Sequence, residues 1–122
     1  MKKILICQHG GSSNHGCEAL ARTTLSLIEG LNELCEVTLY SYRVGDDKKY
    51  LADLPQLRIA GLQHLPGRYS VHNITYHVKK RMGKSASRLP ITPEFARLVR
   101  ESDLVIAIGG DNYCYNRGEG YY

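Results

Sequence analysis

The glycine-rich stretch from Gln8 to Leu20, QHGGSSNHGCEAL, carries small polar side chains whose spacing could support chemistry. It follows an apolar run typical of a buried strand and precedes the periodic pattern of an amphipathic helix. At such junctions in α/β proteins, the N–H groups of a helix N-terminus point into the ligand crevice. We therefore treat this loop as a candidate binding site, with candidate ligand-binding residues Gly11, Ser12, Ser13, Asn14, Gly16 and Glu18.

The loop lacks the residues of the two best-known phosphate-binding motifs. Gly11 and Gly16 have the glycine spacing of a P-loop, but Cys17 and Glu18 stand where that motif needs a lysine and a hydroxyl. The dinucleotide pattern G-x-G-x-x-G is also absent, and no acidic residue that could hold a ribose follows the second strand before Asp46. We expect the loop to bind an uncharged or weakly anionic group such as sugar hydroxyls.

Each of these side chains also has a purely structural interpretation. Asn14 or one of the serines could cap the helix, and the glycines could simply turn the chain. Cys17 could be a nucleophile, because a helix N-terminus lowers a thiol pKa, but its place on the apolar stripe of the helix favours packing. The sequence leaves these alternatives open.

A second glycine turn follows the apolar run LVIAI, residues 104–108, which predicts a buried strand. If that strand is parallel to the first, Asp111 emerges at the same sheet edge as the loop Gly10–Gly16. Asp111 could be a catalytic base or could stabilise a cationic centre, and an Asx-turn or helix cap is the structural alternative. The neighbouring candidate substrate-binding residues are Gly109, Gly110 and Asn112.

The elements that must position these groups follow from hydrophobic periodicity. An apolar strand, an amphipathic helix and a β-branched, aromatic strand form a β-α-β unit suited to a right-handed crossover. The predicted elements are a strand over Lys3–Gln8, a helical stripe at Cys17, Leu20, Ala21, Thr24, Leu27, Ile28 and Leu31, a strand over Glu36–Tyr42, a loop with a helical turn over Arg43–Pro55, a short strand over Leu57–Ala60, a helical stripe at Val71, Ile74, Val78 and Met82, and a helix starting at Thr92. This order predicts an α/β fold with a Rossmann-like parallel sheet flanked by helices.

Composition fits one domain spanning residues 1–122. Its 43% hydrophobic content suffices for a modest core, and no apolar run approaches the ~20 residues that cross a bilayer. The apolar run after Met1 is too short for a signal peptide. The four cysteines lack zinc-like spacing, so we expect reduced thiols, no metal and a cytoplasmic location.

Positive charge is concentrated in the middle of the chain. Between Leu54 and Pro93 there are seven Lys or Arg residues and no acidic residue, within a net charge of +4. We expect residues 66–91 to form a basic, flexible segment in which Lys79, Lys80 and Arg81 contact an anionic lipid or an acidic glycan. A solvated helix end is the alternative, and the segment lacks an RNA-binding signature, so no nucleic-acid partner is expected.

Taken together, GGSSNHGCEAL and DLVIAIGGDNYCY resemble the motifs of the polysaccharide pyruvyl transferase family. Asn14, Gly16 and Glu18 match the family's N-x-G-D-E loop, in which Cys17 replaces the usual aspartate. Gly109, Gly110 and Asp111 match its Gly-Gly-Asp turn after an apolar strand.

The resemblance implies the N-terminal part of a two-domain enzyme of GT-B-like architecture. It implies transfer of pyruvate from phosphoenolpyruvate to two sugar hydroxyls as a ketal, without a further cofactor. The sugar acceptor would bind to this half, and phosphoenolpyruvate mainly to a C-terminal domain. We therefore expect the 122 residues to be an inactive fragment when alone, while a glycosyltransferase half of the same architecture and a non-catalytic scaffold remain alternatives.

The hypothesis for Asp111 makes the first testable prediction. In the full-length enzyme, Asp111→Asn preserves shape but removes the charge needed by a base or an electrostatic stabiliser. We expect acceptor binding to be retained and turnover to fall by about 10²–10⁴ in steady-state kinetics. Turnover near the wild-type rate would instead identify Asp111 as a turn residue.

Overall fold

The computed structural model describes residues 1–31, 33–86 and 90–109, which contain four strands and four helices. In chain order these are β1 (Lys2–His9), α1 (His15–Glu29), β2 (Cys35–Ser41), α2 (Val44–Tyr50), β3 (Leu57–Gly61), α3 (Val71–Arg81), α4 (Pro93–Glu101) and β4 (Leu104–Ala107).

The four strands form one parallel sheet in the order β3-β2-β1-β4. Strand β1 is central, with β2 on one side and β4 on the other. Its near-continuous apolar run is explained by burial on both faces, since Ile4, Leu5 and Ile6 are all at most 4% exposed. The predicted α/β fold, with a Rossmann-like parallel sheet flanked by helices, is confirmed.

Helices cover the two faces of the sheet with separate apolar clusters. On one face, Leu25 of α1 packs in a cluster with Ile6 and Leu39 of the sheet. On the other face, Leu98 of α4 packs in a cluster with Leu5 and Tyr40. Alternate residues of each strand therefore pack against helices on opposite faces of the sheet, because successive side chains of a strand point to opposite faces.

The buried face of α1 differs from the stripe that periodicity predicts. Ala21 and Ile28 are buried as expected, and Leu25, which the predicted stripe omits, is 1% exposed. Leu27, in contrast, is 69% exposed. The sheet contacts the side of the helix that carries Ala21 and Leu25. The leucines of the predicted stripe lie beside this contact and are exposed to solvent.

Helix α4 begins where its capping signals predict. Thr92 accepts a hydrogen bond from the Phe95 amide at 3.0 Å, and Pro93 occupies the first turn. The Thr92 hydroxyl also lies 2.6 Å from the Tyr40 hydroxyl, which fixes the start of the helix to β2.

Strand β4 is less buried than its apolar sequence predicts. Leu104 is 50% exposed and Val105 is 41% exposed. Within the described residues β4 is the edge of the sheet, so one of its sides has no neighbouring strand.

The basic middle of the chain contains helix α3, whose apolar stripe faces solvent rather than the core. Val71, Ile74, Val78 and Met82 are each more than half exposed, while Tyr76 is buried. The expected flexibility of residues 66–91 stays a prediction. Across the described ranges, no helix combines the length and apolarity that crossing a bilayer would take.

The segment predicted as a loop with a helical turn contains helix α2, and Gly61 fixes the position of that helix. Gly61 has φ of +125°, and a Cβ on it would overlap the Ser41 carbonyl oxygen. That oxygen accepts a hydrogen bond from the Leu62 amide at 2.9 Å, and the Leu62 carbonyl accepts one from the Val44 amide at 3.0 Å. Close contact at Gly61 therefore holds the first turn of α2 against the end of β3.

We expect Gly61→Ala to lower the free energy of unfolding by at least about 2 kcal/mol, because it adds both backbone strain and a clash with Ser41. Urea denaturation followed by circular dichroism would measure this change. Gly67→Ala is the matched control, since Gly67 has no atom within 4 Å of an added Cβ. Equal stability of the two variants would contradict the role given to Gly61.

Candidate functional site

The loop that follows β1 and the end of β4 lie at one edge of the sheet. Strands β1 and β4 are adjacent and parallel, with Cys7 opposite Ala107 and the Ile108 amide bonded to the Cys7 carbonyl at 3.1 Å. The loop that follows β1 and Gly109, which follows β4, therefore lie at the same carboxyl edge. This satisfies the parallel arrangement on which the prediction for Asp111 depends, although Gly110, Asp111 and Asn112 lie outside the described residues.

This edge is also the topological switch point of the sheet. The chain proceeds from β1 outward to β2 and β3, and then returns to place β4 on the opposite side of β1. In open α/β sheets the crevice between the two strands where the order reverses is the usual place for a ligand. Here the strand order reverses between β1 and β4, beside the candidate loop.

A bulge at the end of β1 turns His9 inward. Ile6 pairs with Leu39 and His9 pairs with Ser41, so β1 contains one more residue than β2 over this interval. Gln8, within the bulge, has φ of +58°. The extra residue moves His9 to the face of the sheet shared by Leu39 and Ser41, where it is 2% exposed.

On that face, His9 meets Ser12 and Asp47 in a buried polar cluster. His9 Nε2 lies 3.0 Å from Asp47 Oδ1 and 3.1 Å from Ser12 Oγ. The Ser12 amide donates to the same Asp47 oxygen at 2.8 Å. Asp47 belongs to α2, so its carboxylate ties the loop after β1 to a helix that lies 35 residues further along the chain.

The geometry of this cluster does not match a Ser-His-Asp catalytic triad. A triad places the serine and the carboxylate on different ring nitrogens. Here both contact Nε2, and Ser12 is fully buried. We conclude that His9, Ser12 and Asp47 position the loop and do not form a nucleophile.

The surroundings of Asp47 favour its charged form. Burial raises its pKa, but hydrogen bonds from His9 and Ser12 and the nearby Ser41 hydroxyl outweigh burial, so the pKa lies below its ordinary value. Among the described residues, Oδ2 has no hydrogen-bond partner of good geometry. The carboxylate is therefore held mainly through Oδ1.

Arg43 brings a positive charge to the loop. It follows the end of β2, and its Cδ would lie 3.1 Å from a Cβ added to Gly11, so its side chain lies directly over that glycine. Its guanidinium is 3.7 Å from the Asp46 carboxylate, and the side chain is 55% exposed. Gly11 itself has φ of +101°, a conformation that favours glycine.

Sequence reasoning did not select Arg43, His9 or Asp47 as site residues. The available signal for Arg43 was its position just after a strand parallel to β1, because such residues emerge at the same edge of the sheet. His9 and Asp47 gave no comparable signal, since the bulge was not predicted and the helical turn predicted after β2 did not indicate which of its side chains would face the loop.

The predicted loop residues have different surroundings. Asn14 is exposed and caps α1, accepting a hydrogen bond from the Gly16 amide at 2.9 Å. Ser13 and Gly16 are exposed, whereas Gly11 and Ser12 are buried. Their roles in ligand binding stay predictions, but in this conformation the Ser12 hydroxyl faces the interior.

Glu18 and Cys17 also have protein neighbours. Glu18 accepts a hydrogen bond from Arg22 at 2.9 Å, which lowers the pKa of Glu18, and Arg22 also binds Asp53. Cys17 is half-buried, with its sulfur 3.2 Å from the position of a Cβ on Gly10. Gly109 is buried at the end of β4.

Comparison with known proteins identified no matching family model, no similar curated protein and no similar solved structure.

The cluster predicts a specific dependence of stability on Asp47. Because its pKa is lowered in the folded state, ionised Asp47 stabilises the fold above the unfolded pKa of about 4, and this contribution is lost as pH falls through the folded pKa. We expect Asp47→Asn to lower the free energy of unfolding at pH 7 by about 2–3 kcal/mol and to reduce the acid dependence of stability.

Urea denaturation between pH 2 and 7 would measure both effects. Asp46→Asn is the control, because Asp46 lies on the same helix with its side chain 42% exposed. If the difference in free energy of unfolding between the wild type and Asp47→Asn did not change with pH, the assignment would be contradicted.

Proposed function

We propose that this chain is the acceptor-binding half of a pyruvyl transferase. The enzyme would transfer pyruvate from phosphoenolpyruvate to a sugar of a cell-surface polysaccharide or its precursor. The single observation that supports this best is the parallel adjacency of β1 and β4, because Gly109 then follows β4 at the same switch-point edge as the loop after β1. The two-domain GT-B-like architecture is part of the same proposal.

The loop after β1 offers suitable chemistry for a sugar acceptor. Ser13 and Asn14 are exposed small polar groups at the start of α1, and the N-terminal end of the helix carries a partial positive charge. Sugar hydroxyls can both donate to and accept from such groups. The buried cluster around Asp47 keeps the backbone of this loop in place, so little ordering would be needed when the acceptor binds.

Arg43 adds an interaction with negative charge. Pyruvyl transfer brings a carboxylate and a phosphate into the site, and an acceptor sugar can itself be acidic. A guanidinium recognises both kinds of anion. In the proposal Arg43 contributes one positive charge from this half, while a second domain supplies most of the cations that bind phosphoenolpyruvate.

The reaction requires an acid that protonates the methylene carbon of the donor and a base for each attacking hydroxyl of the acceptor. A sugar hydroxyl attacks C2 of the donor as the methylene carbon gains a proton, phosphate leaves, and a second hydroxyl of the sugar closes the ketal. A base must remove each hydroxyl proton. Asp111, placed by sequence after Gly109, is our candidate for this base or for the stabilisation of the cationic C2.

Phosphate release tests the proposal. The full-length gene product would be incubated with phosphoenolpyruvate and candidate glycans, and released phosphate and the ketal would be measured. A parallel reaction with nucleotide sugars tests the glycosyltransferase alternative. Release of phosphate only with both substrates is expected, whereas nucleotide release or inactivity in both reactions would contradict pyruvyl transfer.

We expect Arg43→Gln to weaken binding of the anionic substrate by about tenfold, the usual order for one charge-assisted interaction, without unfolding the protein. Titration calorimetry with phosphoenolpyruvate and with an acidic acceptor would show which ligand loses affinity. Arg97→Gln is the matched control, because Arg97 is an exposed arginine whose guanidinium binds Glu101 on α4. Unchanged affinity for both ligands would remove Arg43 from the proposed site.

A further inference from the structure

Helix α3 presents a stripe of apolar side chains to solvent. These residues recur at helical spacing and stand on one side of the helix. Their exposed fractions are 81% for Val71, 54% for Ile74, 52% for Val78 and 62% for Met82, the residue that caps the helix. Tyr69, just before the helix, is 85% exposed.

The opposite side of the helix contacts the chain segments that flank it. Tyr76 is 9% exposed, and the Asn73 side chain donates to the Gly67 carbonyl at 2.9 Å. Ser70 caps the first turn by accepting from the Asn73 amide at 3.2 Å. Because the aromatic and polar side of α3 is turned toward these flanking segments, the exposed stripe faces away from them.

Positive charge borders this stripe. Arg81 lies three residues after Val78 and seven after Ile74, on the same flank of the helix, and is exposed. Arg68 before the helix and Lys84 after it are also exposed. No acidic residue occurs between Leu54 and Pro93, so the chain before, within and after α3 carries only basic and uncharged side chains.

We propose that α3 lies on an anionic lipid bilayer. The stripe residues Val71, Ile74, Val78 and Met82 enter the boundary between head groups and acyl chains, and Arg81 with its basic neighbours contacts lipid phosphates. Helices with an apolar face and a basic flank bind in this orientation, parallel to the membrane plane. Tyr69 has the amphipathic character of residues found at membrane interfaces.

The charge pattern favours a bilayer over two other occupants. A nucleic acid would suit the cations but would leave four apolar side chains against phosphates and water. A second copy meeting the first through a two-fold contact would place the same basic flanks close together. A bilayer satisfies both the apolar stripe and its basic border, and this inference does not depend on pyruvyl transfer.

A single fluorophore can test insertion, because the chain contains no tryptophan. We would make Val78→Trp and add vesicles of 30% phosphatidylserine in phosphatidylcholine, or of phosphatidylcholine alone. We expect a blue shift of emission with the anionic vesicles and little shift with the neutral ones. Leu27→Trp is the matched control on α1, where Leu27 is also exposed, and its emission should stay unchanged.

Cosedimentation with the same vesicles separates the apolar from the electrostatic contribution. We expect Ile74→Ser with Val78→Ser to weaken binding at least about tenfold. Arg81→Gln with Lys84→Gln should weaken it about 30-fold at low salt, roughly fivefold for each charge. The control pairs are Leu20→Ser with Leu27→Ser, and Lys48→Gln with Lys49→Gln, which remove similar exposed side chains from α1 and α2.

Several results would overturn the proposal. Absence of wild-type cosedimentation with anionic vesicles would do so directly. If the serine variants bound vesicles as tightly as the wild type, the contact would rest on charge alone and insertion of the apolar stripe would be excluded. Self-association in analytical ultracentrifugation, lost in the serine variants and unaccompanied by vesicle binding, would identify a second copy as the occupant. Circular dichroism of every variant would confirm that α3 remains folded.

Discussion

The carboxylate of Asp47 is the contact on which the carboxyl edge of this sheet depends. It is buried, it carries its charge at neutral pH, and it accepts hydrogen bonds from the His9 side chain at the end of β1 and from the Ser12 amide in the loop that follows. A buried carboxylate that loses these donors would be costly, because water cannot replace them. Loop and helix α2 are consequently held in one arrangement.

That arrangement rests in turn on irregular backbone geometry. The bulge at Gln8 brings His9 to the face where Asp47 lies, and the tight contact of Gly61 with Ser41 places the start of α2. On the surface, Arg22 adds a second connection by binding both Glu18 of α1 and Asp53 after α2. The buried connection has the larger energetic effect, because solvent weakens ion pairs at exposed positions such as Asp53.

The sequence predicted the regular parts of the molecule well. Strand β1 and helix α4 could be recognised because a continuous apolar run and a Thr-Pro cap depend on local chemistry alone. It could not reveal the inward turn of His9, since a bulge depends on pairing with a neighbouring strand. Nor could it tell which side of α3 faces the fold, because an apolar stripe has the same periodicity whether it is buried or exposed.

The candidate site was predictable to a similar degree. Its position followed from glycine turns after apolar strands, and the parallel pairing of β1 with β4 agrees with that placement. The contribution of Arg43 required knowing that β2 lies beside β1. The buried side chain of Ser12 could not be foreseen, because a serine in a glycine-rich loop gives no indication of which way it points.

The bond from the Ser12 amide to Asp47 also governs how this region opens. Releasing that amide to solvent requires the loop to separate from α2, so hydrogen exchange at Ser12 reports the opening of two segments distant in sequence as one cooperative unit. Fraying of the loop alone is thereby suppressed. The backbone at Ser12 is therefore held in place before any ligand binds, so binding at this edge would not require this part of the loop to fold.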